Sequence, residues 1–345
     1  MNTVELAGSS FEVKNGFLDL SLLEIKDITE IQGLSKLSDL KNLELSSNDI
    51  LHIKGLESLT ELEILNLGNN QIIDIKGLEG LENLKVLHLI SNQIKEIKGL
   101  KNLNNLEELY LRGNQIKNLK GFDNLKSLKR LDLSWNEISE IQGFENLINL
   151  EVLWIAGNQL REIKNLENLR NLEVLNLAGN NINKINGLKN LSKLKSLYLN
   201  NNSIKKIEGF EALESLETLW LNTNKISEIE GLDKCKDLRI LNLKQNNIKH
   251  IKGLYLLKNL ENLFLSENKI GEIKGLETLI KLETLDLGQN EIIQIKGLES
   301  LVNLKDLWLA DNLVPQKILD QLGGLDSGGY ANEPLKFVQY CIINL

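Results

Sequence analysis

The apolar residues of this chain keep one rhythm along most of its length. Between residues 62 and 83 they fall at Leu62, Leu65, Leu67, Ile72, Ile75, Leu78 and Leu81, with Asn70 and Gly77 as the fixed non-aliphatic positions. The asparagine of this pattern returns every 22 residues, thirteen times in succession, from Asn48 to Asn312, without insertion or deletion. Like shapes substitute for one another: Leu119 and Leu160 stand for isoleucine, and Ile155, Cys235, Phe122, Phe144 and Phe210 for leucine. Asn165 replaces the glycine once. That exchange predicts a left-handed backbone at the glycine slot, since asparagine visits that region more readily than other side chains.

A fixed period of this length marks a repeat architecture, in which each unit packs mainly on its neighbours. The unbroken period reads as one repeat array in place of the two domains that 345 residues would suggest. The triplet Leu65-Asn66-Leu67 alternates apolar and variable residues, as a half-buried strand does. Stacked, such triplets predict one parallel sheet. The segment from Ile72 to Leu81 is too short for a long helix and predicts 3₁₀ or short helical turns on the opposite face. Unequal bulk on the two sides predicts a curved, right-handed α/β solenoid with the sheet on the concave face. The asparagine carboxamide carries donors and an acceptor, so it should satisfy the turn after each strand and build a buried polar ladder.

Bare end units would expose their apolar faces, so both ends need covers. Residues 1–39 read as an N-terminal cap: a hairpin of 11–14 with 17–20 about a type I′ turn at Asn15-Gly16, then a degenerate unit with Lys26 at the asparagine slot. Residues 40–314 are the repeats. Residues 315–345 read as a helical C-terminal cap, with helices at 316–322 and 335–343 around a glycine-rich loop.

Composition narrows the function. A formal charge of −8 without a basic stripe argues against nucleic acid, and single-stranded RNA would need a positive groove beside its stacking aromatics. Cys235 fills a core leucine slot and reads as a small hydrophobe. No basic-then-apolar start and no run of about 18 apolar residues is visible, so a soluble, cytoplasmic protein with no membrane segment is expected. The chain has neither a G-x-x-x-x-G-K-[ST] loop nor an H-E-x-x-H pair, and His52, His88 and His250 lie far apart. No enzyme activity, metal or cofactor is expected.

The variable position inside each strand runs Glu44, Asn66, His88, Tyr110, Asp132, Trp154, Asn176, Tyr198, Trp220, Asn242, Phe264, Asp286, Trp308. Trp135 precedes Asn136 in a slot of the same face, so all four tryptophans fall there. Rigid aromatics among polar neighbours are the usual anchors of protein binding; the competing reading is that they brace one another across strands. The candidate contact residues are Tyr110, Asp132, Trp135, Trp154, Tyr198, Trp220, Lys225, Phe264, Asp286, Glu291 and Trp308. A monomer that binds a folded protein partner is expected.

The run from Ile50 through Gly55, Leu56 and Asn70 to Ile72 resembles the 22-residue class of leucine-rich repeats, over about Leu18 to Val314. The namesake of that class is the leucine-rich regulatory subunit of type-1 protein phosphatase. The resemblance implies a non-catalytic scaffold or regulatory subunit that binds a phosphatase-type partner through concave aromatic and acidic residues, of which Trp154, Trp220, Trp308, Asp132, Asp286 and Glu291 are similar in kind. The end of the chain, Pro315 with Ile318 and then Phe337-Val338-Gln339-Tyr340, looks more like leucine-rich modules that precede Roco-type GTPase domains, and implies a sensor module of a GTPase system as the alternative. Internalin-like adhesins share the period; they generally carry proline at the Gly77-type position and would need a signal peptide.

Overall fold

Each Leu-x-Leu triplet becomes a strand of three residues centred on its first leucine, and alternation assigns the two faces. In Ile64–Asn66 the central Leu65 is fully buried, while Ile64 and Asn66 face outward. The computed structural model describes residues 3–344. Contacts divide the chain into two compact units, Met1–Leu160 with Lys164–Leu172, and Arg161–Ile163 with Glu173–Leu345. Each unit is a stretch of parallel-strand solenoid.

The first unit opens with β1 (Thr3–Leu6), β2 (Ser9–Glu12) and β3 (Phe17–Asp19). Its repeats then supply β4 (Asn42–Glu44), β5 (Ile64–Asn66), β6 (Val86–His88), β7 (Glu108–Tyr110), β8 (Arg130–Asp132) and β9 (Val152–Trp154). Leu43, Leu65, Leu87, Leu109, Leu131 and Leu153 lie side by side in parallel register. The second unit continues the pattern with β10 (Val174–Asn176), β11 (Ser196–Tyr198), β12 (Thr218–Trp220), β13 (Ile240–Asn242), β14 (Asn262–Phe264), β15 (Thr284–Asp286) and β16 (Asp306–Trp308), followed by α1 (Gln316–Gln321) and α2 (Pro334–Ile343). Its leucines from Leu175 to Leu307 are likewise in register. Proline at the first position of α2 suits a slot whose N–H would have no helical partner.

Opposite the strands, the chain turns by single i→i+3 hydrogen bonds, Leu59 N to Leu56 O and Leu62 N to Leu59 O at 3.0 Å each. Regular 3₁₀ helices occur among the described residues at Ile28–Glu30 and Leu34–Lys36. Asparagines steady these outer turns as well: Asn105 Nδ2 donates to Glu82 O at 3.0 Å and Asn149 Nδ2 to Lys126 O at 2.9 Å.

The asparagine ladder joins repeats as well as closing turns. Asn136 Oδ1 accepts the N–H of Ile116 at 3.0 Å, and its Nδ2 donates to the carbonyls of Leu111 and Leu133 at 3.0 and 3.1 Å. Leu111 and Ile116 belong to the preceding repeat, so one carboxamide fastens two units. The glycine slot is set by close approach. Gly77 has φ +86°, and a Cβ there would lie 2.1 Å from the Ile53 carbonyl oxygen. Asn165 takes the same left-handed conformation at φ +59° and turns the contact into a hydrogen bond, Nδ2 to Ile141 O at 2.6 Å.

The start of the chain departs from the expected hairpin. Asn15 and Gly16 are left-handed, as a type I′ turn requires, and Lys14 and Phe17 exchange both backbone hydrogen bonds at 2.9 Å. The pairing ends there. β2 turns back onto β1, with Phe11 opposite Val4, and β3 runs parallel to β4. The cause is burial: Leu18 and Leu20 are fully enclosed as members of the repeat core, whereas a lone two-stranded ribbon is marginal. Leu18 faces Leu43, an offset of 25 against the repeat's 22. That register puts Leu23, not Lys26, at the asparagine slot, and Asn48 Oδ1 accepts the N–H groups of both Leu23 and Ile25.

Candidate functional site

The outward residues of the strands form the face on which the candidate side chains stand. In the first unit Tyr110, Asp132 and Trp154 are neighbours on β7, β8 and β9. The Tyr110 hydroxyl donates to Glu108 at 2.5 Å, and Arg130 donates to the other oxygen of Glu108 at 2.8 Å. Burial, then the bond to Glu108, pushes the Tyr110 phenol up to about 12. Burial alone would raise Glu108, but the bonds from Tyr110 and Arg130 outweigh it and hold the carboxyl below its ordinary value. His88 stacks on Tyr110 with ring centres 4.6 Å apart and planes within 5°. Burial holds the imidazole below its usual pKa, against the opposing pull of Glu108 and Glu44. This stack is not among the expectations drawn from the sequence. The signal was present in two consecutive ring residues at one strand slot.

Trp135 is the most exposed tryptophan, with 61% of its surface open. The position before each ladder asparagine has positive φ in all thirteen repeats, and elsewhere it carries Ser, Asn, Gly, Thr, Gln, Glu or Asp. Trp135 sits there at φ +57°, a conformation that is strained for a bulky residue. Its ring lies over Gly157, where a Cβ would come within 2.9 Å of the indole Cδ2. The glycine is the floor that lets the indole lie flat.

In the second unit Tyr198 and Trp220 are paired across β11 and β12, ring centres 6.1 Å apart at 47°. Phe264 stands outward on β14. Asp286 accepts the Ser266 hydroxyl at 2.6 Å and the Gly288 N–H at 3.2 Å, and burial raises its pKa against both bonds. Lys225 and Glu291 are exposed on the turns after their strands, three repeats apart, and are not brought together.

Trp308 differs from the open anchor expected of it. Its indole N–H donates to Gly328 O at 2.8 Å, Tyr330 stacks beside it at 6.2 Å, and Lys244 lies 5.8 Å above the ring. The segment before α2 adds antiparallel to β16, through Ala331 N to Leu307 O at 2.8 Å and Leu309 N to Gly329 O at 3.2 Å. The chain itself occupies this indole, because the last strand would otherwise present a bare edge.

Among the described residues no group of three or more His, Cys, Asp or Glu could hold a metal ion, and no helix is long and apolar enough to cross a membrane. Cys235 and Cys341 are buried and unpaired.

The family model for leucine-rich repeats, two copies to a match, fits residues 60–102, 104–146, 126–168, 148–190, 192–234 and 258–300. No curated protein matches. Among solved structures, an internalin (InlF) from Listeria monocytogenes is similar at 31% identity and a TM-score of 0.77, over 86% of this chain and 87% of that one. The Gly77-type glycine spoke against such a likeness, yet it extends through most of both chains. A leucine-rich repeat protein of Leptospira interrogans is similar at 28% identity and a TM-score of 0.66, over 88% and 92%. A chain of an octameric complex of latrophilin 3, Unc5D and the leucine-rich repeats of FLRT2 is similar at 25% identity and a TM-score of 0.67, over 76% and 84%. Leucine-rich repeat proteins commonly act as protein-interaction scaffolds. On its repeat period, its strand register and these matches, the chain belongs to the leucine-rich repeat family.

Proposed function

We propose that the chain is a non-catalytic scaffold that binds a folded protein on the exposed face of its sheet, with Trp135, Trp154, Asp132 and Tyr110 as the principal contacts. The observation that carries this reading is Trp135, a largely exposed indole held in a left-handed backbone. Strain of this kind clusters at binding and catalytic sites, where function retains what stability alone would remove. The octameric assembly that contains FLRT2 supports protein binding by this fold. Tyr198, Trp220, Lys225, Phe264, Asp286 and Glu291 extend the contact set, and Trp308 serves as an internal brace. The repeat motif supports a signalling phosphatase as partner, and the residues from Pro315 to Tyr340 support a GTPase-linked module as the alternative. Residues 1–39 and 315–345 are taken as caps. Two buried free thiols support a reducing, cytoplasmic compartment, and the chain is taken as a monomer; fractionation and light scattering test the two readings.

The test of binding is capture from the source cell. Trp135→Ala with Trp154→Ala should abolish partner recovery and shift the melting midpoint by no more than about 2 °C. Recovery that survives both changes refutes the reading; a collapsed midpoint shows that the rings brace the sheet.

A further inference from the structure

The outer turns of the first unit hold one slot filled by different residues in successive repeats, so neighbouring repeats show what chemistry it takes. After β4 and β5 the left-handed glycine donates its N–H to the glutamate two positions on, Gly55 to Glu57 at 3.1 Å and Gly77 to Glu79 at 2.9 Å. After β6 that glutamate is replaced by Lys101, and after β7 by Asp123, a methylene shorter. Neither the Gly99 N–H nor the Gly121 N–H has an acceptor among the described residues. The lysine before each glycine differs there as well. Lys76 and Lys98 pair with Asp74 and Glu96, two residues earlier. Lys120 has Asn118 at that place and makes no ion pair among the described residues. Where the pattern breaks, a cavity of about 570 Å³ opens, with Gly99, Lys101, Lys120 and Asp123 in its lining. Its lining holds three lysines against two carboxylates, and one of these, Glu96, is already held by Lys98.

We propose that this cavity binds an acidic peptide segment, whose side-chain carboxylate takes the place that Glu57 and Glu79 fill in their own repeats. That carboxylate accepts the Gly99 N–H and sits between the Lys101 and Lys120 ammonium groups. Such charge-assisted contacts are stronger than those of a neutral amide. Asp123 favours a peptide over a phosphate: it accepts from a ligand N–H and repels a group that carries acceptors only. The volume is that of a small-ligand site and exceeds what one carboxylate fills, so the main chain flanking the acidic residue enters with it. This surface lies on the turns opposite the strands and uses none of the aromatic contact residues. It is therefore independent of the protein-binding reading above.

The test is calorimetric titration of the full chain at about 0.15 M salt with N-acetyl-triglutamate amide, its glutamine counterpart and inorganic phosphate. Saturable binding of the glutamate peptide is expected with a Kd of about 0.1–5 mM, and at least about tenfold weaker binding of the other two. Lys101→Glu restores the carboxylate that Glu79 provides one repeat earlier. It should keep the fold, seen by circular dichroism, and abolish binding. Lys120→Gln should weaken binding at least about fivefold. Lys126→Glu makes the same charge change outside the cavity and, like Trp135→Ala, should alter the Kd by less than about twofold. Absence of saturation by about 20 mM peptide, binding that survives Lys101→Glu, an equal loss with Lys126→Glu, or phosphate bound as tightly as the peptide overturns the proposal. A Lys101→Glu chain that fails to fold also overturns it, because the slot would then refuse a carboxylate.

Discussion

Replacing Asn136 by alanine tests what holds one repeat to the next. Four hydrogen bonds disappear: one accepted from Ile116 N, and three donated to the carbonyls of Leu111, Leu133 and Ser134. They are not equivalent. The Leu111 carbonyl also accepts from Asn114 at 3.0 Å and the Leu133 carbonyl from Asn158 at 3.0 Å, so each keeps a partner and loses about 0.5–1.5 kcal/mol net. The Ile116 N–H is left with none, which costs about 1–3 kcal/mol for a buried donor. The total expected for Asn136→Ala is about 2–6 kcal/mol. Asn136→Asp separates geometry from chemistry. It preserves the acceptor for Ile116 but turns a second oxygen toward the Leu111 and Leu133 carbonyls, with a charge to bury. At pH 7 it should therefore destabilise more than alanine. The introduced carboxyl would have a folded pKa above its unfolded value of about 3.9, so its deficit should shrink as pH falls from 7 toward 4. Urea unfolding followed by circular dichroism and tryptophan fluorescence at pH 7 and pH 5 measures both. A loss below about 0.5 kcal/mol for alanine, or an aspartate variant no worse than alanine at pH 7, refutes the ladder argument.

Gly77→Ala combines a left-handed φ with a clash against the Ile53 carbonyl and should cost at least about 3 kcal/mol. Gly33→Ala has a similar φ but a nearest atom at 3.4 Å and should cost about 1–2 kcal/mol; equal losses by urea unfolding would contradict the close-approach explanation. Because burial lowers the folded pKa of His88, the unfolded chain takes up that proton first. Stability from this group is full above about pH 6.5 and declines as pH falls through that value toward the folded pKa. His88→Gln should remove this part of the decline in the urea midpoint between about pH 7.5 and 5, and an unchanged slope would count against it. Burial pushes the Cys235 thiol to about 12 and raises Cys341, so neither should react with a disulfide reagent at about pH 8 until the chain is unfolded; prompt reaction of the native protein would show that these sites open.

The sequence by itself determined the repeat, the strand centres and the asparagine ladder, because these depend on a period that every unit imposes on its neighbours. It also announced the left-handed glycine slot, through the single exchange at Asn165. Much of the outward face was legible as well, since strand alternation tells which side chains leave the core. The tertiary structure decided what those side chains touch. Only the fold shows that the end of the chain returns to cover Trp308, because that contact joins segments whose separation carries no periodic signal. Only the fold shows that Trp135 occupies a strained backbone over a glycine floor, since φ is set by the turn and not by the residue placed in it. The path of residues 11–20 was settled in the same way: a turn motif can specify its own two residues, but burial of Leu18 and Leu20 in the core selected the strand partners.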